Sequence, residues 1–107
     1  MHILAARLAI ATLVFGASLA SAAMAADYTI VLDKMKFGPL PAELHPGDTI
    51  TWKNDDIFRH SATARDKSFD IDLPSKSEVK MTVAAAGPVE FYCKFHPGMK
   101  GTLVVTP

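Results

Sequence analysis

Cys93, His96 and Met99 stand three residues apart in the stretch Tyr92-Cys93-Lys94-Phe95-His96-Pro97-Gly98-Met99-Lys100. A thiolate and a thioether are soft ligands and an imidazole is borderline, a combination that among first-row metals favours copper. A second imidazole would complete two His, one Cys and a weak axial Met, the donor set of a blue-copper electron-transfer centre. His60, in a polar section upstream, is the candidate. Side chains next to each other on an extended strand point to opposite faces, so they cannot meet at one ion. A tight loop after Cys93 can instead fold back and carry His96 and Met99 to the sulfur. Gly98 and Gly101 give that loop backbone freedom, and Pro97 stiffens it.

The chain of 107 residues opens with a weakly basic Met1–Arg7 and an apolar run, Leu8–Leu19, too short to span a bilayer. Small residues follow, ending in Ala23-Met24-Ala25. This pattern is that of a secretory signal peptide, residues 1–25, cleaved after Ala25 or a residue or two to either side. The remainder, 26–107, is one domain of roughly eighty residues, near the size at which a bound metal helps a fold hold together. All eleven acidic residues and every basic residue but Arg7 lie in it. Its near-neutral balance excludes a nucleic-acid partner, and once the leader is gone nothing in it calls for a membrane. One cysteine cannot make an internal disulfide, and a free thiol in an oxidising compartment is a liability unless something such as a metal occupies it.

The elements that must position these ligands read as strands, with no helix of useful length. Asp27–Leu32 is β-rich, and Met35-Lys36-Phe37 alternates until Gly38-Pro39-Leu40-Pro41 stops it. His45-Pro46-Gly47-Asp48 is a turn, and its histidine is expected to be exposed and inert. Thr49–Asn54 is the clearest strand, with Ile50 and Trp52 on one face. Residues 57–75 read as irregular. Lys76–Val83 alternates with Val79, Met81 and Val83 inward; Val89–Cys93 runs into the ligand loop, and Gly101–Val105 leaves it. Met35, Met81, Trp52 and Phe91 are expected in the core. Short strands with regular turns imply an all-β sandwich with Greek-key connections.

On these residues the sequence resembles the small cupredoxins of amicyanin, plastocyanin and pseudoazurin type. The spacings of Cys93, His96 and Met99 are those of the amicyanins, and Met35–Pro39 with Pro46–Asn54 resembles the amino-terminal half of such domains. The resemblance implies seven or eight strands with copper at one end, His60, Cys93 and His96 as equatorial ligands and Met99 as the long axial one. It implies a monomeric periplasmic one-electron carrier, not an enzyme, that docks briefly with a redox partner such as methylamine dehydrogenase or a c-type cytochrome. A periplasmic copper chaperone or copper-resistance protein using the same soft ligands is the alternative.

Two positions depart from the family pattern. Ser61 follows the first histidine where Asn is usual, and Lys94 stands where a hydroxyl residue usually receives that side chain. The expectation is a less rigidly tethered His60 loop. Phe95 occupies a position where short-loop relatives often carry Pro. Its N–H can point back at the thiolate and raise the reduction potential, or its ring can simply pack the mouth of the site. Phe95, Pro97, Met99 and Phe58 are expected to form an apolar collar around His96. Arg59, Lys94 and Lys100 would supply a basic rim that makes electron transfer steeply salt-dependent.

Overall fold

The computed structural model describes residues 24–107, so the leader reading falls, up to Ala23, outside the described residues. Eight strands form two four-stranded sheets: β1 (Asp27–Asp33), β2 (Lys36–Phe37), β3 (Thr49–Asn54), β4 (His60–Ala64), β5 (Asp70–Leu73), β6 (Glu78–Thr82), β7 (Gly87–Tyr92) and β8 (Lys100–Val105). The first sheet runs β2-β1-β3-β6 and the second β5-β4-β7-β8. The chain therefore changes sheet after β3, β5 and β6, which makes the all-β sandwich expected from the strand pattern. β1 and β3 pair in parallel, from Asp27 opposite Thr49 to Leu32 opposite Asn54.

Period-two patterning sends Ile30 and Leu32 of β1 and Ile50 and Trp52 of β3 inward against Leu73, Phe91 and Leu103 of the facing sheet. The centre is aromatic. Phe91 meets Phe37 edge-on at 4.8 Å and Trp52 at 5.2 Å, and Phe69 lies 6.1 Å from Trp52. Met81 packs at the margin of this core.

Two expectations fail. Residues 57–75 are not irregular throughout, since they contain β4 and β5. All five residues of β4 are buried, yet His-Ser-Ala-Thr-Ala has no bulky apolar side chain to announce a strand. Met35 is not core. Leu32 pairs with Phe37 and Asp33 with Lys36, leaving Lys34 and Met35 as a two-residue hairpin tip with φ of 51° and 60°. Both central residues at positive φ define the turn that matches strand twist, and its tip faces solvent.

Gly101 lies opposite Phe91 across the β7–β8 pair. A Cβ there would come within 2.7 Å of Phe91 Cζ and 3.0 Å of Leu40 Cδ1. Because Phe37 and Trp52 fix the Phe91 ring, Gly101→Ala should destabilise the fold by about 1–3 kcal/mol through overpacking. The measurement is the urea midpoint, and an unchanged midpoint would mean that the ring yields.

Candidate metal centre

His60 opens β4 and Cys93 directly follows β7, so the two sheet-two strands bring them together at one end of the sandwich. Cys93 Sγ lies 3.7 Å from His60 Nδ1. The ligand loop closes on itself: Cys93 N–H donates to the Met99 carbonyl at 3.0 Å, and Met99 N–H to the His96 carbonyl at 2.8 Å. His60 and Cys93 are fully buried and Met99 nearly so. His96 is half-buried, its ring edge-to-face with that of His60 at 5.1 Å and near Phe58 at 6.1 Å. Among the described residues no three His, Cys, Asp or Glu side chains form a ready-made cluster. The contact pair is Cys93 with His60, flanked by the His96 ring.

That pair fits a shared first-row ion. A sulfur about 2.3 Å and a nitrogen about 2.0 Å from one centre, roughly 120° apart, stand about 3.7 Å from each other. The protonation pattern fits as well. His60 Nε2 lies 2.9 Å from Asp56 Oδ2, and with that nitrogen donating its hydrogen to the carboxylate, Nδ1 keeps its lone pair towards the sulfur. The His60 hydrogen bond, followed by the Met35 N–H on the same oxygen at 2.9 Å, holds the Asp56 carboxyl below the usual carboxylate range.

Asn54 frames the loop that carries Asp56. Its amide nitrogen reaches the carbonyls of Phe58 at 2.8 Å and Leu73 at 2.9 Å, and its oxygen accepts the Asp56 N–H at 2.9 Å. Asn54 looks in the sequence like an ordinary turn residue, and Asp56 like one of two adjacent loop acids. The one available signal was the four-residue spacing from Asp56 to His60.

The loops are tied after all. Ser61 Oγ accepts the Lys94 backbone N–H at 2.9 Å, so the short side chain suffices because it meets an amide and not another side chain. The same hydroxyl lies 2.9 Å from Thr63 Oγ1, which donates to Asp70 Oδ1 at 2.9 Å. Asp70 Oδ2 then accepts from Lys94 Nζ at 2.9 Å, closing a circuit that grips Lys94 by its backbone and its ammonium. The thiol also differs from expectation. The N–H that reaches the Cys93 sulfur is that of Ser61, at 3.4 Å, and not that of Phe95. Phe95 is instead a half-exposed ring at the mouth, with the Arg59 guanidinium 5.2 Å from its centroid.

Of the expected apolar collar, Phe58, Phe95 and Pro97 are exposed, while Met99 is too buried to belong to it. Two of the three expected rim cations are paired, Arg59 with Asp72 at 2.7 Å and Lys94 with Asp70 at 2.9 Å. His45 is half-exposed, as its turn position implied, and lies beside Glu43 and Asp48.

A two-sheet sandwich with a buried thiol–imidazole pair where two loops meet at one end defines a small metal-binding β-domain. The chain belongs to the cupredoxin-like domain family, whose model matches residues 6–105. It is 30% identical to amicyanin of Paracoccus denitrificans over 79% of this chain and 71% of that one. Among solved structures it resembles a reduced Cu(I) form of an amicyanin variant, with 26% identity, a TM-score of 0.63, and 75% of this chain and 82% of that one covered. It also resembles a copper-containing nitrite reductase of Thermus scotoductus, with 25% identity and a TM-score of 0.67 over 76% of this chain. The match spans only 22% of that enzyme.

Two outcomes follow from the circuit. Ser61→Ala removes the acceptor for the Lys94 amide and should cost the metal-free protein about 1–3 kcal/mol in urea unfolding; a cost near zero would mean that water replaces the hydroxyl fully. Asp56, Asp70 and Asp72 all have folded-state pKa values below the ordinary 3.8, held down chiefly by His60, Lys94 and Arg59 respectively. Their contribution to stability is complete above that value and is lost as pH falls through the depressed ones. The unfolding midpoint of the metal-free protein should therefore drop below about pH 4. A midpoint that rose on acidification would contradict these pairings.

Proposed function

We propose that the chain is a periplasmic one-electron carrier that holds a single copper ion through His60, Cys93, His96 and Met99. The observation that carries this reading is the buried contact between Cys93 Sγ and His60 Nδ1, 3.7 Å apart, at an end where, of the four donors, only the half-buried His96 approaches the surface. Copper in such a site supplies a Cu(II)/Cu(I) couple. The residues around it supply the rest. Asp56 fixes the tautomer of His60, and the Ser61 N–H withdraws electron density from the sulfur. Fold and ligand loop keep solvent from both. With four protein donors no position stays open for a substrate, which argues against an enzyme.

Burial also weighs against the chaperone reading. Passing an ion to another protein by ligand exchange needs an accessible thiol, and the Cys93 sulfur is enclosed. The exposed Phe58 and Phe95 rings around His96 suit brief apolar contact between this monomer and a redox partner, a dehydrogenase or a c-type cytochrome. With Arg59 and Lys94 already paired to acids, steering by positive charge is weak, so the steep salt dependence expected from the sequence gives way to a shallow one.

Loaded with Cu(II), the protein should show an intense visible absorption band, and Cys93→Ser should abolish it; an uncoloured Cu(II) form would overturn the reading. Electron transfer with a partner cytochrome should slow by less than about tenfold between roughly 50 and 200 mM salt. A steeper fall would mean that the paired acids do not cancel the rim cations.

A further inference from the structure

Asp48 lies at the other end of the sandwich from His60, about 20 Å away along the six residues of β3. Its side chain is 95% buried, with 5% exposed. Oδ1 accepts the backbone N–H of Ala26 at 2.9 Å, and Oδ2 accepts that of His45 at 2.8 Å. These two amides, Ala26 first, hold the carboxyl below its ordinary range. The nearest side-chain group that can carry positive charge is the half-exposed His45 imidazole, 3.9 Å away and itself 3.6 Å from Glu43. A buried carboxylate with only amide donors lacks the full counter-charge that offsets its desolvation.

Ala26 is gripped at both ends. Its nitrogen rests on Asp48, and its carbonyl accepts the Thr49 N–H at 2.9 Å, one residue before β1 begins. Met24 and Ala25, immediately before it, are exposed. The Ala23-Met24-Ala25 pattern calls for a processing cut at the Ala25–Ala26 bond or within a residue or two of it. Hydrolysis there by a signal peptidase consumes one water, leaving a carboxylate on Ala25 and an ammonium on Ala26. The nitrogen already 2.9 Å from Asp48 Oδ1 would thereby acquire a positive charge.

We propose that Asp48 is the receptor for the α-ammonium of Ala26, so that removal of the leader completes a buried ion pair pinning the start of β1 to the turn before β3. A cut one residue earlier leaves an amide at that nitrogen, and a cut one residue later removes it. Every strand and core residue among the described residues lies within 26–107, so processing there removes none of them.

Exported from the full-length precursor, the protein should have an intact mass that starts at Ala26; any other first residue overturns the proposal. Its α-amino group, followed by NMR, should titrate above the ordinary value of about 8, and Asp48→Asn should return it there. An amino group at its ordinary value with Asp48 intact overturns the proposal. A chain released from a fusion so that it begins at Ala25 should have a folding equilibrium constant lower by roughly three- to tenfold at neutral pH. This comparison retains Asp48 and stands even if Asp48→Asn fails to fold. Equal stability of the two chains would count as refutation.

Discussion

A single hydrogen bond, 2.9 Å between Asp56 and His60 Nε2, decides which way the most buried imidazole among the described residues faces. An imidazole has two chemically distinct nitrogens, and an acceptor fixed at one of them leaves the other a lone pair. Here that lone pair faces a sulfur supplied from more than thirty residues away. Asp56 can do this because Asn54 holds its loop from beneath and the Met35 N–H occupies the same carboxylate oxygen. The proposed ligand geometry therefore begins with residues that would never touch the ion.

The second support is the pairing of β4 with β7. Thr63 opposite Tyr92 and Ala64 opposite Phe91 put the chain just past Tyr92 alongside Ser61. Ser61 then serves both loops at once, its N–H on the Cys93 sulfur and its hydroxyl under the Lys94 amide. β4 shows why its sequence is so plain. The hydroxyls of Ser61 and Thr63 pack together beneath Asp70 and Lys94, and apart from the buried imidazole of His60 the strand carries only small side chains.

Much of this could be read in the sequence where burial is one-sided. β3 and β6 alternate apolar with polar residues because one face packs and the other is wet, β1 and β8 announce themselves by their β-rich apolar runs, and the short spacing of Cys93, His96 and Met99 announces a ligand loop. β4 escaped because a strand covered on both faces by small residues carries no period-two contrast. The tie at Ser61 was misjudged because its partner is a backbone amide, whose position depends on strand pairing and not on the identity of residue 94. Met35 misled for the opposite reason. Its place in an alternating triplet suggested a strand, but two successive residues at positive φ turn the chain there. The family matched by residues 6–105 fixes fold class, while these local exchanges rest on individual side chains.

The Asp56 carboxylate is shared between the two layers. Its Oδ2 takes a hydrogen from the β1–β2 hairpin of the first sheet and lies against the imidazole that opens β4 of the second. Thermal shear of one layer over the other at this end would pull on that oxygen and appear as a tilt of the ring. The directional constancy of the histidine lone pair is in that sense a mechanical property of the whole sandwich, and loosening the hairpin tip at Met35 would disturb it without altering any donor atom.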